Sequence, residues 1–195
     1  MSPGEALLRE SIRERERGHA ERAHELVSRA LALDPGYFEA LVHRGVLAAE
    51  LGRPAEALAS YDAALRLRPS AAQALYNRGT ALQALGRHAE ATESYQRLLQ
   101  QTPADAEALN NLGVCLLETG RAAEARALAD SAITEAERID GIGFAEVRLR
   151  VAAAEARHAA GDGDGARAVL RSALDHIAAR ADRITDPAWR ASYLG

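Results

Sequence analysis

Shifted by 34 residues, the chain matches itself, and no other feature constrains its fold as tightly. Glycines recur at Gly18, Gly52, Gly86 and Gly120, and prolines at Pro35, Pro69 and Pro103. Leu7, Leu41, Leu75 and Leu109 form a third column, and Ala23, Ala57, Ala91 and Ala125 a fourth. Four columns in phase over about two thirds of the chain describe copies of one supersecondary unit, each burying its apolar face against its neighbours.

Each unit reads as two helices. Tyr37 to Leu51 carries apolar residues at helical spacing, Gly52 suits the positive φ of a helix C-terminus, and Pro54 suits the first turn of the next helix. That helix runs to about Arg68, because Pro69 disfavours helical geometry in its predecessor. Composition agrees. Ala is the commonest residue and aromatics make up only 4 % of the chain, which leaves too few β-branched and aromatic side chains for a sandwich or barrel. Gly45, Gly79 and Gly113 in the first helices are expected to lie opposite Ala57, Ala91 and Ala125 in the second, allowing close packing. Leu41, Leu58, Tyr61, Leu75, Leu82, Tyr95, Leu109 and Leu116 supply the bulk.

Leu41, Gly45, Ala48, Ala57, Tyr61, Ala64 and Pro69 in one unit recur as Leu75, Gly79, Leu82, Ala91, Tyr95, Leu98 and Pro103 in the next. The following unit has Leu109, Gly113, Leu116, Ala125, Ala129 and Ala132 without the proline. This alternation of large and small residues closely resembles the tetratricopeptide repeat family. The resemblance implies an all-α, right-handed superhelical solenoid of antiparallel helix pairs, about 11 helices in a single domain spanning residues 1–195. Its parts would be a divergent capping repeat over residues 4–37, repeats over 38–71, 72–105 and 106–139, an elongated helix pair over 140–183, and a C-terminal capping helix over 186–195.

The two ends are atypical. The first helix, Arg9 to Arg17, alternates Arg and Glu, and Glu14 stands where Leu82 and Leu116 stand later. It reads as a solvated cap, with a charged docking helix as the alternative. Gly161 follows Gly120 by 41 residues instead of 34, and the extra seven are close to two helical turns. The turn Gly161-Asp162-Gly163-Asp164-Gly165 reads as a helix start capped by Asp; it lacks the ligand pattern of a calcium loop. In the tail, Asp186 and Pro187 start a helix with Trp189 and Tyr193 on one face, which serves as a C-terminal cap or as an association surface.

Several function classes are disfavoured. The formal net charge is -4, so nothing electrostatic favours nucleic acid or a membrane surface. No run approaches the roughly 18 apolar residues of a membrane span, and Met-Ser-Pro-Gly-Glu lacks the order of a signal peptide, giving a cytoplasmic expectation. The six histidines show no metal-ligand spacing, there is no phosphate-binding glycine loop, and Cys115 reads as a packed thiol. The expectation is a protein that is not an enzyme and uses no cofactor or metal.

The resemblance also implies a concave wall lined by the first helices. Its sixth column is Arg9, His43, Asn77 and Asn111. An Asn carries both donor and acceptor and can bond a peptide backbone, or be satisfied by its neighbours. Beside it lie Ile12, Val42, Val46, Tyr76, Thr80, Asn110 and Val114, with Glu50 and Glu118 in an acidic column near the helix ends. There the helix dipole opposes a carboxylate by roughly 0.3–1 kcal/mol, and Arg53 and Arg121, three residues on, are the expected local partners. The leading expectation is an adaptor that binds a peptide or helix of a partner protein in this groove, with monomer favoured. The alternatives are an assembly or oligomerisation module with contacts at its ends, or the sensory part of a bacterial regulatory protein.

Overall fold

The computed structural model describes residues 2–103, 105–139, 150, 153–155, 157–159 and 161–181. The chain divides into two compact units, Met1–Gln101 and Thr102–Gly195. The first holds six helices: α1 (Pro3–Glu16), α2 (Ala20–Leu33), α3 (Phe38–Glu50), α4 (Pro54–Leu67), α5 (Ala72–Ala84) and α6 (His88–Leu99). Within it α1 packs on α2, α3 on α4 and α5 on α6, while α2 meets α3 and α4 meets α5. In the second, α7 (Ala106–Glu118) packs on α8 (Ala122–Ile139), and α9 (Gly163–Ala181) follows helical residues 150, 153–155 and 157–159. Among the described residues there is no strand. The tail with Trp189 and Tyr193, and residues 140–149 of the expected elongated pair, lie outside the described residues.

The helix turns share one mechanism. Gly52 adopts φ +70°, its N–H donates to the Ala49 carbonyl (3.0 Å), and the Arg53 N–H donates to the Ala48 carbonyl (2.8 Å). These two bonds satisfy carbonyls that the ending helix leaves open, and the left-handed residue between them favours Gly. The same pair of bonds closes the turns at Gly18, Gly86, Gly120 and Gly161. After Gly161, the Asp162 carboxylate accepts from the Gly165 N–H (2.8 Å), capping α9 as the sequence implies.

Packing inside each pair depends on a contact that differs from the expected one. The residue over Gly45 is Tyr61, not Ala57, and the residue over Gly79 is Tyr95. A Cβ at either glycine would overlap the ring, so the missing side chain is what lets a whole phenol ring lie between the helices. Both tyrosines are buried, Tyr61 2 % and Tyr95 0 % exposed. Among the described residues no atom lies within 4 Å of a hypothetical Cβ on Gly113, and Ala129 stands where the earlier repeats have Tyr. Leu109 is correspondingly only half-buried, whereas Leu41 and Leu75 are core.

A second link recurs between the paired helices. Arg44 Nε donates to Ser60 Oγ (2.9 Å), and Arg78 Nη1 donates to Ser94 Oγ (2.6 Å). In the second unit Arg150 Nη1 donates to Ser172 Oγ (2.8 Å). Arg44 and Ser60 each lie eight residues from Gly52, while Arg150 and Ser172 each lie eleven from Gly161. The bond has moved outward by about one helical turn on both arms together.

In the capping repeat Glu14 is buried. Its carboxylate accepts from His19 Nδ1 (2.8 Å) and Arg17 Nη1 (2.7 Å), tying the end of α1 across the Gly18 turn. The His19 hydrogen bond first, and then Arg17, hold this carboxyl below its ordinary value. The solvated-cap reading therefore gains a specific internal tie.

The two kinds of glycine are expected to respond oppositely. Gly79→Ala forces an overlap with the Tyr95 ring and should destabilise by about 1–3 kcal/mol. Gly113→Ala meets open space and gains helix propensity, about 0.5–1 kcal/mol. Urea denaturation followed by circular dichroism distinguishes them; equal effects at both positions would refute the ring-on-glycine account.

Candidate functional site

The wall formed by α1, α3 and α5 is built by helical spacing. On α3, His43, Val46 and Glu50 follow at i, i+3 and i+7 and share one face; on α5, Thr80 lies four residues after Tyr76 and three after Asn77, adjoining both. Arg9, Glu50 and Ile12 are exposed, Ile12 by 39 %, and Val42, His43, Val46, Tyr76, Asn77 and Thr80 are half-buried. In the second unit, α7 carries half-buried Asn110, Asn111 and Val114 and exposed Glu118.

The structure gives several of these side chains particular partners. Glu50 pairs with Arg15 of α1, which donates through both Nε (3.0 Å) and Nη2 (2.5 Å). This corrects the expected local pairing. Arg53 reaches back to Glu21 (2.7 Å), and Arg121 pairs with Glu124 (2.7 Å). A cation three residues on would have to bend around the turn that Gly52 closes, whereas a fork from the neighbouring repeat meets the carboxylate face on. Glu39 is likewise engaged, by Arg68 (3.0 Å), whose guanidinium also stacks 4.0 Å from the Phe38 ring centroid. Both of these α3 carboxylates are thus neutralised from within. Leu8, next to Arg9 on α1, is core.

His43 is turned into the joint between the first two repeats. Ser11 Oγ lies 3.1 Å from His43 Nε2 and donates its only hydrogen to the Ala23 carbonyl (2.6 Å). Nε2 must therefore carry the proton and donate, leaving Nδ1 as an acceptor. Burial first, and Arg15 second, push the His43 pKa down to about 4, so the ring is neutral near pH 7.

On α5, Thr80 Oγ1 donates to the Asn77 carbonyl of its own helix (2.8 Å), so its hydroxyl is already committed. The Tyr76 ring stands edge-on to Tyr95, centroids 6.0 Å apart at 66°. The Asn77 side chain makes no hydrogen bond to another described residue, while Asn111 already holds an interaction of its own. Sequence reasoning missed Ser11 and Arg15, which lie on a different helix from their partners. It also missed the recurring Arg44/Arg78 and Ser60/Ser94 columns, although their 34-residue spacing was visible.

Cys115 is buried, and burial pushes its thiol up to about 11, so it is a packing group and not a nucleophile near neutral pH. Among the described residues no three His, Cys, Asp or Glu side chains converge as a metal site, and no helix is long and apolar enough to cross a membrane.

This geometry places the chain in a class of helical-repeat proteins, and comparison with known sequences names it. The chain belongs to the tetratricopeptide repeat family: a model of that repeat matches residues 8–72, 44–106 and 76–138, and a second matches 147–172. Among curated proteins none matches. Of solved structures, MamA from Desulfovibrio magneticus RS-1 is 21 % identical with a TM-score of 0.77, covering 90 % of this chain and 96 % of that one. YrrB, described as a tetratricopeptide protein with an unusual peptide-binding site, is 23 % identical with a TM-score of 0.73, covering 87 % and 84 %. The first repeat domain of Spaghetti (RPAP3), solved with an HSP90 peptide, is 25 % identical with a TM-score of 0.54, covering 57 % and 91 %.

The His43 assignment fixes a pH response. A histidine whose folded value lies below its unfolded one opposes folding once protonated, so stability is full above about pH 6.5 and falls as pH drops toward 4. Glu14 acts lower, its contribution present above the ordinary carboxyl value of 4.5 and lost below it. His43→Gln should flatten the decline between pH 6.5 and 4 and leave the lower part intact. Thermal melts across pH, with an NMR titration of the His43 ring, check this; a His43 midpoint near 6.5 would refute the assignment.

Proposed function

We propose that this protein is a non-enzymatic interaction adaptor that holds a peptide or helix of a partner protein against the wall of first helices. The observation that carries the reading is Asn77: half-buried on α5, in the column shared with His43, with an amide unbonded to other described residues. A half-buried amide that reaches solvent can exchange water for a bound peptide backbone, since it offers both a donor and an acceptor. Tyr76, Val42, Val46 and Ile12 give apolar contact along the same wall. Peptide binding by YrrB and by the Spaghetti domain, as those structures are described, is the same kind of activity on the same fold.

A chaperone-type carboxylate clamp has less support. The chain has no Lys, and Arg15, a strong cation of this wall, is already forked onto Glu50. Partners are therefore expected to be neutral, apolar-to-polar segments, without nucleic acid or membrane.

Asn77→Ala should weaken a captured partner peptide about three- to tenfold, the worth of one or two hydrogen bonds, without loss of helicity. The partner is obtained by pulldown with mass spectrometry and its binding peptide titrated by calorimetry. Unchanged affinity in the variant would sink the wall reading.

A further inference from the structure

A recess of about 260 Å³ opens where α1 begins, lined among others by Gly4, Glu5, Leu33, Asp34 and Tyr37. Shifted by one repeat, Gly4, Glu5, Leu33 and Asp34 become Phe38, Glu39, Leu67 and Arg68. In that second copy the position is occupied from within: the Arg68 guanidinium stacks 4.0 Å from the Phe38 ring centroid, and its Nη1 lies 3.0 Å from Glu39 Oε1. The carboxylate and the leucine are common to both copies. The two side chains that meet there, the aromatic and the arginine, are replaced in the first copy by a glycine and an aspartate.

The first copy is therefore short of a cation. Among the described residues no Arg or His lines it, and Arg9, exposed one turn after Glu5 on α1, stays outside. Glu5 spends Oε2 on the Ser2 N–H (3.0 Å) and Asp34 spends Oδ1 on the Gly36 N–H (3.0 Å), which leaves Glu5 Oε1 and Asp34 Oδ2 to accept. Half-buried Tyr37 supplies an aromatic ring, and Leu33, 61 % exposed, an apolar shelf.

We infer that this recess receives the side chain of an arginine from a partner protein, its guanidinium bonded to Glu5 and Asp34 and set against the Tyr37 ring, as Arg68 is set between Glu39 and Phe38 one repeat on. A guanidinium is planar, carries a fork of donors that two carboxylates can share, and stacks on aromatic faces. An ammonium is compact and strongly hydrated and does neither as well. An anion would meet two carboxylates, and a neutral apolar group would cover the leucine while leaving both charges uncompensated. A free amino acid would bring its own carboxylate toward Glu5 and Asp34, so the arginine belongs in a peptide chain. None of the wall residues named above lines the recess, and the neutral character expected along the wall does not extend to it.

The test uses the full ¹⁵N-labelled chain, titrated with acetyl-Gly-Arg-Gly-amide, with its lysine and citrulline analogues, and with free L-arginine. The Arg peptide should move the backbone amides of Leu33, Asp34, Gly36 and Tyr37 saturably. The lysine peptide and free arginine should bind there at least about threefold more weakly, and neutral citrulline at least about tenfold more weakly. Asp34→Asn keeps an acceptor for the Gly36 N–H but removes a charge, and should weaken the Arg-peptide response at least about threefold. Asp34→Arg restores the arginine of the next repeat, and should abolish the response with the melting temperature preserved or raised. Equal responses to the arginine and citrulline peptides, or an undiminished response in both variants, would overturn the site. Lysine matching arginine would overturn the guanidinium assignment, and free arginine binding more tightly than the peptide would overturn the partner assignment in favour of a small-molecule site.

Discussion

A phenol ring lying on a glycine sets the spacing within the second and third helix pairs. Removing the Cβ at Gly45 and Gly79 opens a slot one ring wide, and Tyr61 and Tyr95 fill it. In a chain this rich in Ala and poor in aromatics, that arrangement lets two large side chains do the filling that many medium ones do in an ordinary core. The separation it fixes brings Arg44 within reach of Ser60 and Arg78 within reach of Ser94. Where the ring is absent, over Gly113, no described residue fills the slot and Leu109 is less buried than its counterparts.

The joint between the first two repeats relies on a different chemistry. Ser11 meets His43, Arg15 meets Glu50, Arg53 meets Glu21, and His24 meets Glu56 at 2.7 Å. Exposed ion pairs are each worth little, on the order of 0–1 kcal/mol, so their larger effect is on register. Four pairs on α1 to α4 can all close at one stagger only, and the capping repeat, with charge where later repeats have leucine, is held at that stagger.

The helix pairs and their turns were legible because repetition gives each position several independent readings. Gly52 alone is a weak signal for a helix end; Gly18, Gly52, Gly86 and Gly120 in phase are a strong one. The wall columns were legible as positions on a helix face, but their partners were not. Local spacing suggested Arg53 for Glu50, yet the partner came from α1, since the pairing depends on how one repeat sits on the next and no single-helix periodicity contains that information. The tilt of His43 toward Ser11 was hidden for the same reason. Tyr61 itself was read correctly as bulk.

The arginine–serine link between paired helices has a consequence for how such chains change length. In the second unit it sits three residues further from the turn on each arm than in the first. Adding a turn to one arm alone would carry its partner atom about 5 Å along the axis and out of hydrogen-bond range. Growth that preserves the link is therefore quantised and symmetric: whole turns, inserted into both arms at once. A hairpin of this kind behaves like a zip with matched teeth, tolerant of extra length only in balanced steps.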